Sequence, residues 1–246
     1  MTPNKRPTKV IPKNEPMRIN RYLSIRGIAT RKGADELVKK GVVFLNGKRA
    51  VLGDKVGPKD KVNIDGVIDT GSYHYFAYCK PKGVTTLPER GTLSVMAMAN
   101  SLPKDVFPVG RLDKDSEGLL IITNDGRITD RLLNPKNENE KEYHAVLNKP
   151  ITNTLLRGIK EGIKVGEFKT RPAKVRKTSE DSFDIILTEG QNREIRRMCL
   201  AFGYEVVSLR RFRIMNLELG NLKANEYREL RGAELAGFLR DLNLPS

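Results

Sequence analysis

Residues 110–126 read GRLDKDSEGLLIITNDG, and the parsing of this stretch decides the fold. Asp113, Asp115, Glu117 and Gly118 fall at positions one, three, five and six of a calcium-loop pattern. The twelfth position is Asn124 where that pattern needs Glu, and Leu119-Leu120-Ile121-Ile122 reads as a buried strand rather than a helix. Calcium is therefore set aside. The stretch is a loop feeding a strand, with Asp115 and Ser116 capping the turn between them. Asp113 is left beside Arg111, where an arginine can hold a carboxylate ionised and a cleft can receive it. Paired Arg and Asp are also common structural features, so composition alone supports a catalytic reading only weakly.

Outward from this strand, residues 74–246 alternate short strands and helices. Strand candidates are YHYFAYCKPKG, GLLIITND, KEYHAVLN, SFDIILTEG and YEVVSLRRFRIMNLEL. Helices are expected over Thr92–Met98, Ile128–Leu133, Thr152–Glu161, Asn192–Phe202 and Ala233–Leu239. Strands with helices interspersed unevenly predict an α+β domain built on a mixed sheet.

Upstream, residues 17–65 form a separate module, and GVIDTGS within 66–73 reads as a linker. Ile19, Tyr22 and Leu23 give a short helix an apolar face, which Gly27 stops. Thr30 is expected to cap a second helix burying Ala34, Leu37 and Val38, ended by Gly41. A β run over Val42–Leu45 leads into Asn46-Gly47, a tight-turn signal, and Lys61–Asp65 reads as a further strand. Residues 1–16 read as a basic flexible tail without the apolar segment of a secretory signal.

Charge follows the same division. The net charge is +15, and residues 1–62 hold 16 Lys and Arg against 5 Asp and Glu. One quarter of the chain thus carries +11 of the excess, the pattern of a dedicated module for a polyanion such as nucleic acid. Its cations Arg18, Arg21, Arg31, Lys32, Lys48 and Arg49 cluster at element ends. Arg31 and Lys32 stand in the first turn of a helix, where the dipole disfavours cations, which points to a phosphate ligand. Cys79 and Cys199 are far apart, and with only His74 and His144 they make no zinc-finger spacing. These residues are assigned to structure, no metal or other cofactor is expected, and a reducing cytoplasm fits the cysteine usage. No apolar run approaches membrane-spanning length.

Two resemblances then enter. RINRYLSIRGIATRKGADELVKKGVVFLNG resembles the S4-type RNA-binding domain, which implies docking on structured RNA through backbone and shape. GRLDKDSEGLLIITNDG resembles the signature of the RsuA/RluB/RluE/RluF family of ribosomal RNA pseudouridine synthases. KPKG (80–83), KEY (141–143) and EGQNREIRRMC (189–199) resemble that family's other motifs, in the same order. FPVGRLDKDS, NEKEY, FGYEV and RIMN bring the chain nearest the family's RluF branch.

The resemblance implies a small S4-like domain followed by a catalytic domain, residues 74–246, with a mixed, mostly antiparallel sheet flanked by helices. It implies isomerisation of uridine to pseudouridine in ribosomal RNA, that of the large subunit in particular. It implies Asp113 as the catalytic carboxylate, paired with and kept charged by Arg196 inside a closed site, and Tyr143 stacked on the target base. Arg111, Leu209 and Lys80 are implied in the substrate pocket, Arg111 filling the space of the flipped nucleotide and Leu209 its floor. Ser116 stands where many relatives have threonine. The reaction conserves atoms, consistent with the lack of a Rossmann fingerprint or P-loop. The alternatives are a non-catalytic RNA-binding or ribosome-assembly factor on the same scaffold and a synthase acting on small-subunit ribosomal RNA or transfer RNA, while a carbohydrate hydrolase lacks a credible second carboxylate. A monomer is expected, since both modules act on one RNA.

Overall fold

A computed structural model describes residues 16–25, 28–29, 31–57, 60–65, 73–103, 106–166 and 168–244. Gly27, Thr30, the tail up to residue 15 and the linker 66–72 lie outside the described residues. The described chain forms two compact units, the second beginning at Tyr73.

The first unit runs β1 (Met17–Arg18), α1 (Ile19–Ile25), α2 (Arg31–Lys39), β2 (Val43–Leu45), β3 (Lys48–Arg49), β4 (Lys55–Val56) and β5 (Val62–Ile64). Its small core joins Ile19 and Leu23 of α1 to Ala34 and Val38 of α2, with Val43, Ala50 and Val56 beneath. Helical spacing of apolar residues in α1 and α2 produces this contact. Asn46 and Gly47 both take positive φ (51° and 80°), the geometry a two-residue hairpin between β2 and β3 requires. Arg18, Arg31, Lys32, Lys48 and Arg49 are exposed and Arg21 is half-buried.

The second unit continues β6 (Tyr75–Lys80), α3 (Val95–Met98), β7 (Phe107–Val109), β8 (Glu117–Thr123), α4 (Arg127–Leu133), β9 (Lys141–Leu147) and α5 (Asn153–Glu161). There follow β10 (Lys164–Val165), β11 (Phe168–Lys169), β12 (Lys174–Lys177), β13 (Ser182–Leu187), α6 (Glu194–Ala201), β14 (Val206–Ile214), β15 (Leu217–Glu218), β16 (Tyr227–Glu229) and α7 (Gly232–Asp241). Among the described residues a nine-stranded sheet runs β12-β13-β9-β14-β8-β6-β16, with β15 on β14 and β7 on β8. Only the β8–β14 pairing is parallel, so the sheet is mixed and mostly antiparallel. Helix α3 begins at Val95 and not at Thr92, because Thr92 closes a turn onto the Glu89 carbonyl.

Burial explains the apolar run 119–122. Leu119 and Ile121 pack with Tyr75, Ala77, Ile128 and Phe238 on one face, while Leu120 and Ile122 pack with Phe76, Tyr78 and Val95 on the other. A strand covered on both faces reads as continuous hydrophobicity. Strands β9 and β13 alternate instead. Ala145, Leu147, Phe183 and Ile185 face a core with Leu155 and Ile159 of α5 and Ile195 and Met198 of α6. Both cysteines are buried and free, Cys199 in this core.

Candidate active site

The loop from Gly110 to Ser116 delivers Asp113 to the start of β8. Asp113 closes a turn by accepting the Ser116 N–H at 3.1 Å through its carbonyl, and its carboxylate side chain is 29% exposed. It is half-open to solvent rather than enclosed.

Asp115 takes a different role from the turn cap expected of it. Its carboxylate accepts two hydrogen bonds from Arg193, at 2.9 and 3.0 Å, in a fork-to-fork pair. Burial pushes the Asp115 carboxyl up, but these hydrogen bonds and the Arg196 charge outweigh burial and leave its pKa below the ordinary value. Both guanidinium groups lie within 3.2 Å of the Asp115 carboxylate, Arg193 from an exposed position and Arg196 from a largely buried one.

Arg196 is likewise corrected. Its partner is Asp115, not Asp113. Nε lies 3.2 Å from Asp115 Oδ2, without the alignment of a hydrogen bond. Nη2 donates to the Asp115 carbonyl at 3.0 Å and Nη1 to the Val206 carbonyl at 2.7 Å. The reason is geometric: α6 aims its first turn at the loop backbone, so Arg196 bridges the loop to the start of β14. The cation within reach of Asp113 is Arg193, whose Nη1 is 4.0 Å from Oδ2. Arg193 precedes α6 in left-handed backbone (φ 52°), a conformation unfavourable by about 1 kcal/mol or more outside glycine.

Lys80 does not line a pocket. It is fully buried, and its ammonium donates to the carbonyls of Ser116 (2.7 Å) and Pro81 (2.9 Å). Burial pushes its pKa down to about 8, against the pull of Asp113 and Asp115. The next turn adds the Gly83 N–H, which donates to the Lys114 carbonyl at 2.7 Å. The KPKG motif thus holds the loop from behind.

Strand register brings the remaining segments together. Lys80 of β6 pairs with Gly118 of β8, Gly118 with Arg211 of β14, and Arg211 with Tyr143 of β9. Four segments distant in sequence therefore meet in one row across adjacent strands, each step about 4.8 Å. Gly118 makes the tight step possible: it has φ +109°, and a Cβ there would stand 2.2 Å from the Arg211 carbonyl oxygen. Tyr143 is half-buried, and its hydroxyl accepts a hydrogen bond from Arg211 Nη1 at 3.4 Å. The Arg211 guanidinium also sits 5.8 Å from the ring centroid, and its Nε donates to the Leu119 carbonyl at 2.8 Å. Leu209, two residues earlier in β14, is buried in the core against which Tyr143 packs. Arg111 is exposed, two residues before Asp113.

Beside this row lies a buried polar cluster. Burial lowers Lys141 to about 8 and raises Glu194 well above the carboxylate range. Glu194 accepts the Gln191 N–H at 2.9 Å and keeps the turn before α6 in place.

Arg193, Arg211 and the anchoring role of Asp115 were not singled out from the sequence. The runs Arg193/Arg196/Arg197 and Arg210/Arg211 carry no local signal that tells their members apart: Arg193 is exposed, Arg196 and Arg197 are both half-buried, and Arg211 is buried beside exposed Arg210. Among the described residues, no three His, Cys, Asp or Glu side chains gather into a group that could hold a metal, and no helix is long and apolar enough to cross a membrane.

Comparison with known proteins identifies the family and the fold. Residues 74–201 match the RNA pseudouridylate synthase family and residues 17–62 the S4 domain. The chain is 41% identical to the dual-specificity RNA pseudouridine synthase RluF of Escherichia coli (strain K12) over 91% of its length and 79% of the relative's. It is 36% identical to the ribosomal large subunit pseudouridine synthase B of Bacillus subtilis (strain 168), over 87% and 91% of the two chains. A crystal structure of a pseudouridylate synthase has the same fold, with TM-score 0.67 at 24% identity over 92% of this chain and 99% of the other. A mixed sheet that follows an S4 domain in sequence is thus shared with a known enzyme group, and this chain belongs to the RNA pseudouridylate synthase family.

Proposed function

We propose that this enzyme converts a specific uridine of large-subunit ribosomal RNA to pseudouridine, with Asp113 as the group acting at the sugar. The relatives named above for RNA and for the large ribosomal subunit support the substrate. The observation that carries the catalytic assignment is the contrast between two neighbouring carboxylates. Asp115 is held by two arginines, two hydrogen bonds from Arg193 and the charge of Arg196, whereas the nearest ion-pair contact of Asp113 is Arg193 at 4.0 Å. The Asp113 carboxylate is the one left available.

The reaction breaks the bond from uracil N1 to C1′ of ribose, turns the base while bound, and joins C5 to C1′; C5 then gives up its proton and N1 takes one, so that atoms balance. Uracil leaves as a resonance-stabilised anion, so a second carboxylate acting as acid, needed by glycosidases, is dispensable. Asp113 must be anionic to act on the sugar, by attack at C1′ or by removal of the 2′ hydrogen. Arg193 Nη1 stands 4.0 Å from Asp113 Oδ2. Tyr143 offers an aromatic face to a base removed from its stack, with the ring fixed by Arg211. Arg111 fills the vacated stack. Arg18, Arg21, Arg31, Lys32, Lys48 and Arg49 hold phosphates of structured RNA. The same reading makes the protein a cytoplasmic monomer, one chain serving one RNA, which sedimentation checks directly.

Carbodiimide mapping of unmodified ribosomal RNA, incubated with wild type or Asp113→Asn, tests the proposal. A new large-subunit stop produced by wild type alone is the expected result. A stop confined to small-subunit or transfer RNA overturns the substrate assignment, and a stop with both proteins overturns the role of Asp113.

A further inference from the structure

The loop that carries Asp113 lies outside every strand, so its backbone has no ladder to hold it. Three groups of the segment 80–86 supply one. Lys80 takes the Ser116 carbonyl, Gly83 takes the Lys114 carbonyl, and Thr86 takes Leu112. These are alternate residues, the pattern a neighbouring strand would contact.

The Thr86 contact differs from the other two. Its hydroxyl donates to the Leu112 carbonyl at 2.8 Å and accepts from the Leu112 N–H at 3.0 Å. One side-chain oxygen thus satisfies both backbone polar groups of the residue next to Asp113. Thr86 is 3% exposed and Leu112 is 7% exposed, so water does not replace the hydroxyl readily. Thr86 is itself braced. The Thr85 N–H donates to the Leu93 carbonyl at 3.0 Å, and the Val95 N–H to the Thr85 carbonyl at 2.9 Å, which anchors the segment to the start of α3.

We propose that Thr86 is a positioning residue for pseudouridine formation, its hydroxyl fixing the Leu112 peptide groups and thereby the place of Asp113 relative to the bound sugar. The proposal rests on Asp113 being the catalytic carboxylate. Thr86 touches no reacting atom. Without its hydroxyl, both Leu112 groups lose their partner, and the loop shifts toward water to satisfy them. A carboxylate displaced by about 1 Å loses on the order of 100-fold in rate, while RNA contacts made elsewhere are unaffected.

The test compares Thr86→Val, Thr86→Ser and Asp113→Asn in the full chain on the RNA that wild type modifies. Thr86→Val is expected to lower kcat by roughly 10–100-fold with KM changed less than about threefold. Thr86→Ser restores the hydroxyl and is expected to recover most of the rate. Hydrogen exchange at the Leu112 amide should quicken in Thr86→Val and not in Thr86→Ser. Should the valine variant fail to fold, Thr86→Ala takes its place and the same two readouts apply. A hydroxyl-free variant with wild-type kcat, or a loss shared equally by the serine variant, overturns the proposal. An active Asp113→Asn overturns the underlying assignment instead, so the two failures are distinguishable.

Discussion

Gly118→Ala tests the claim that strand register assembles the site. Gly118 lies in the parallel pairing of β8 with β14, opposite Arg211. Its φ of +109° already disfavours any side chain by about 1–3 kcal/mol. The added Cβ would stand 2.2 Å from the Arg211 carbonyl oxygen and 2.8 Å from its nitrogen, both backbone atoms without a rotamer to escape through. Relieving that contact means parting the two central strands by about 1 Å, with the loss of one or two ladder hydrogen bonds near 1 kcal/mol each. The sum is about 2–5 kcal/mol, a large share of an ordinary domain's stability. For a unit of this size that corresponds to a fall in Tm of roughly 10 °C. Calorimetry of the full chain reads the shift, and carbodiimide mapping reads the accompanying loss of activity. Gly190→Ala serves as the control, since nothing lies within 4 Å of a Cβ there. A Gly118→Ala protein melting within about 3 °C of wild type and fully active would refute the reasoning that this close approach positions Asp113.

Further outcomes follow from other sites. Asp125 is fully buried and accepts hydrogen bonds from the Tyr75 hydroxyl (2.6 Å) and from Arg127 Nε and Nη2 (2.9 Å each). Asp125→Ala strands a cation and is expected to cost about 3–5 kcal/mol in chemical denaturation. Glu194, raised by burial, binds its proton in the folded chain at pH values where the unfolded chain has released it. Its contribution is therefore fully present below the ordinary carboxyl range and is lost as pH rises toward the raised value. Glu194→Gln should flatten that fall and melt higher than wild type at pH 8, by on the order of 1–3 kcal/mol; parallel pH curves would refute it. Replacing exposed Arg31 and Lys32 together by Ala should weaken RNA binding and reduce the salt slope by about 1–2, read by titration at several salt concentrations. An unchanged slope would remove these two from the phosphate contacts.

Much of the architecture was legible in the chain. Helical spacing marked α1, α2 and α5, with Thr152 capping α5 at Leu155 as its position implies. The run Leu119–Ile122 announced a doubly covered strand, and Asn46-Gly47 a hairpin. Asp113 was singled out by the resemblance of its motif, its place between loop and strand supporting a catalytic reading only weakly. These features depend on near neighbours in sequence, where backbone sterics and side-chain period act alone. The division of labour among Asp113, Asp115, Arg193 and Arg196 was not legible, and Arg196 lies against Asp115 where pairing with Asp113 was expected. Lys80, Thr86 and Arg211 also act through partners 26 to 92 residues away. Such pairings are set by the register of β6, β8, β14 and β9 and by the entry of α6. Register is a collective choice of the whole sheet, made by burying both faces of β8 at once. Residue type and local spacing thus determined the elements, and the resemblance of the motifs pointed to the candidate carboxylate. Which cation serves which carboxylate, and which buried group holds the loop, was decided only when the long-range packing placed them within hydrogen-bond reach.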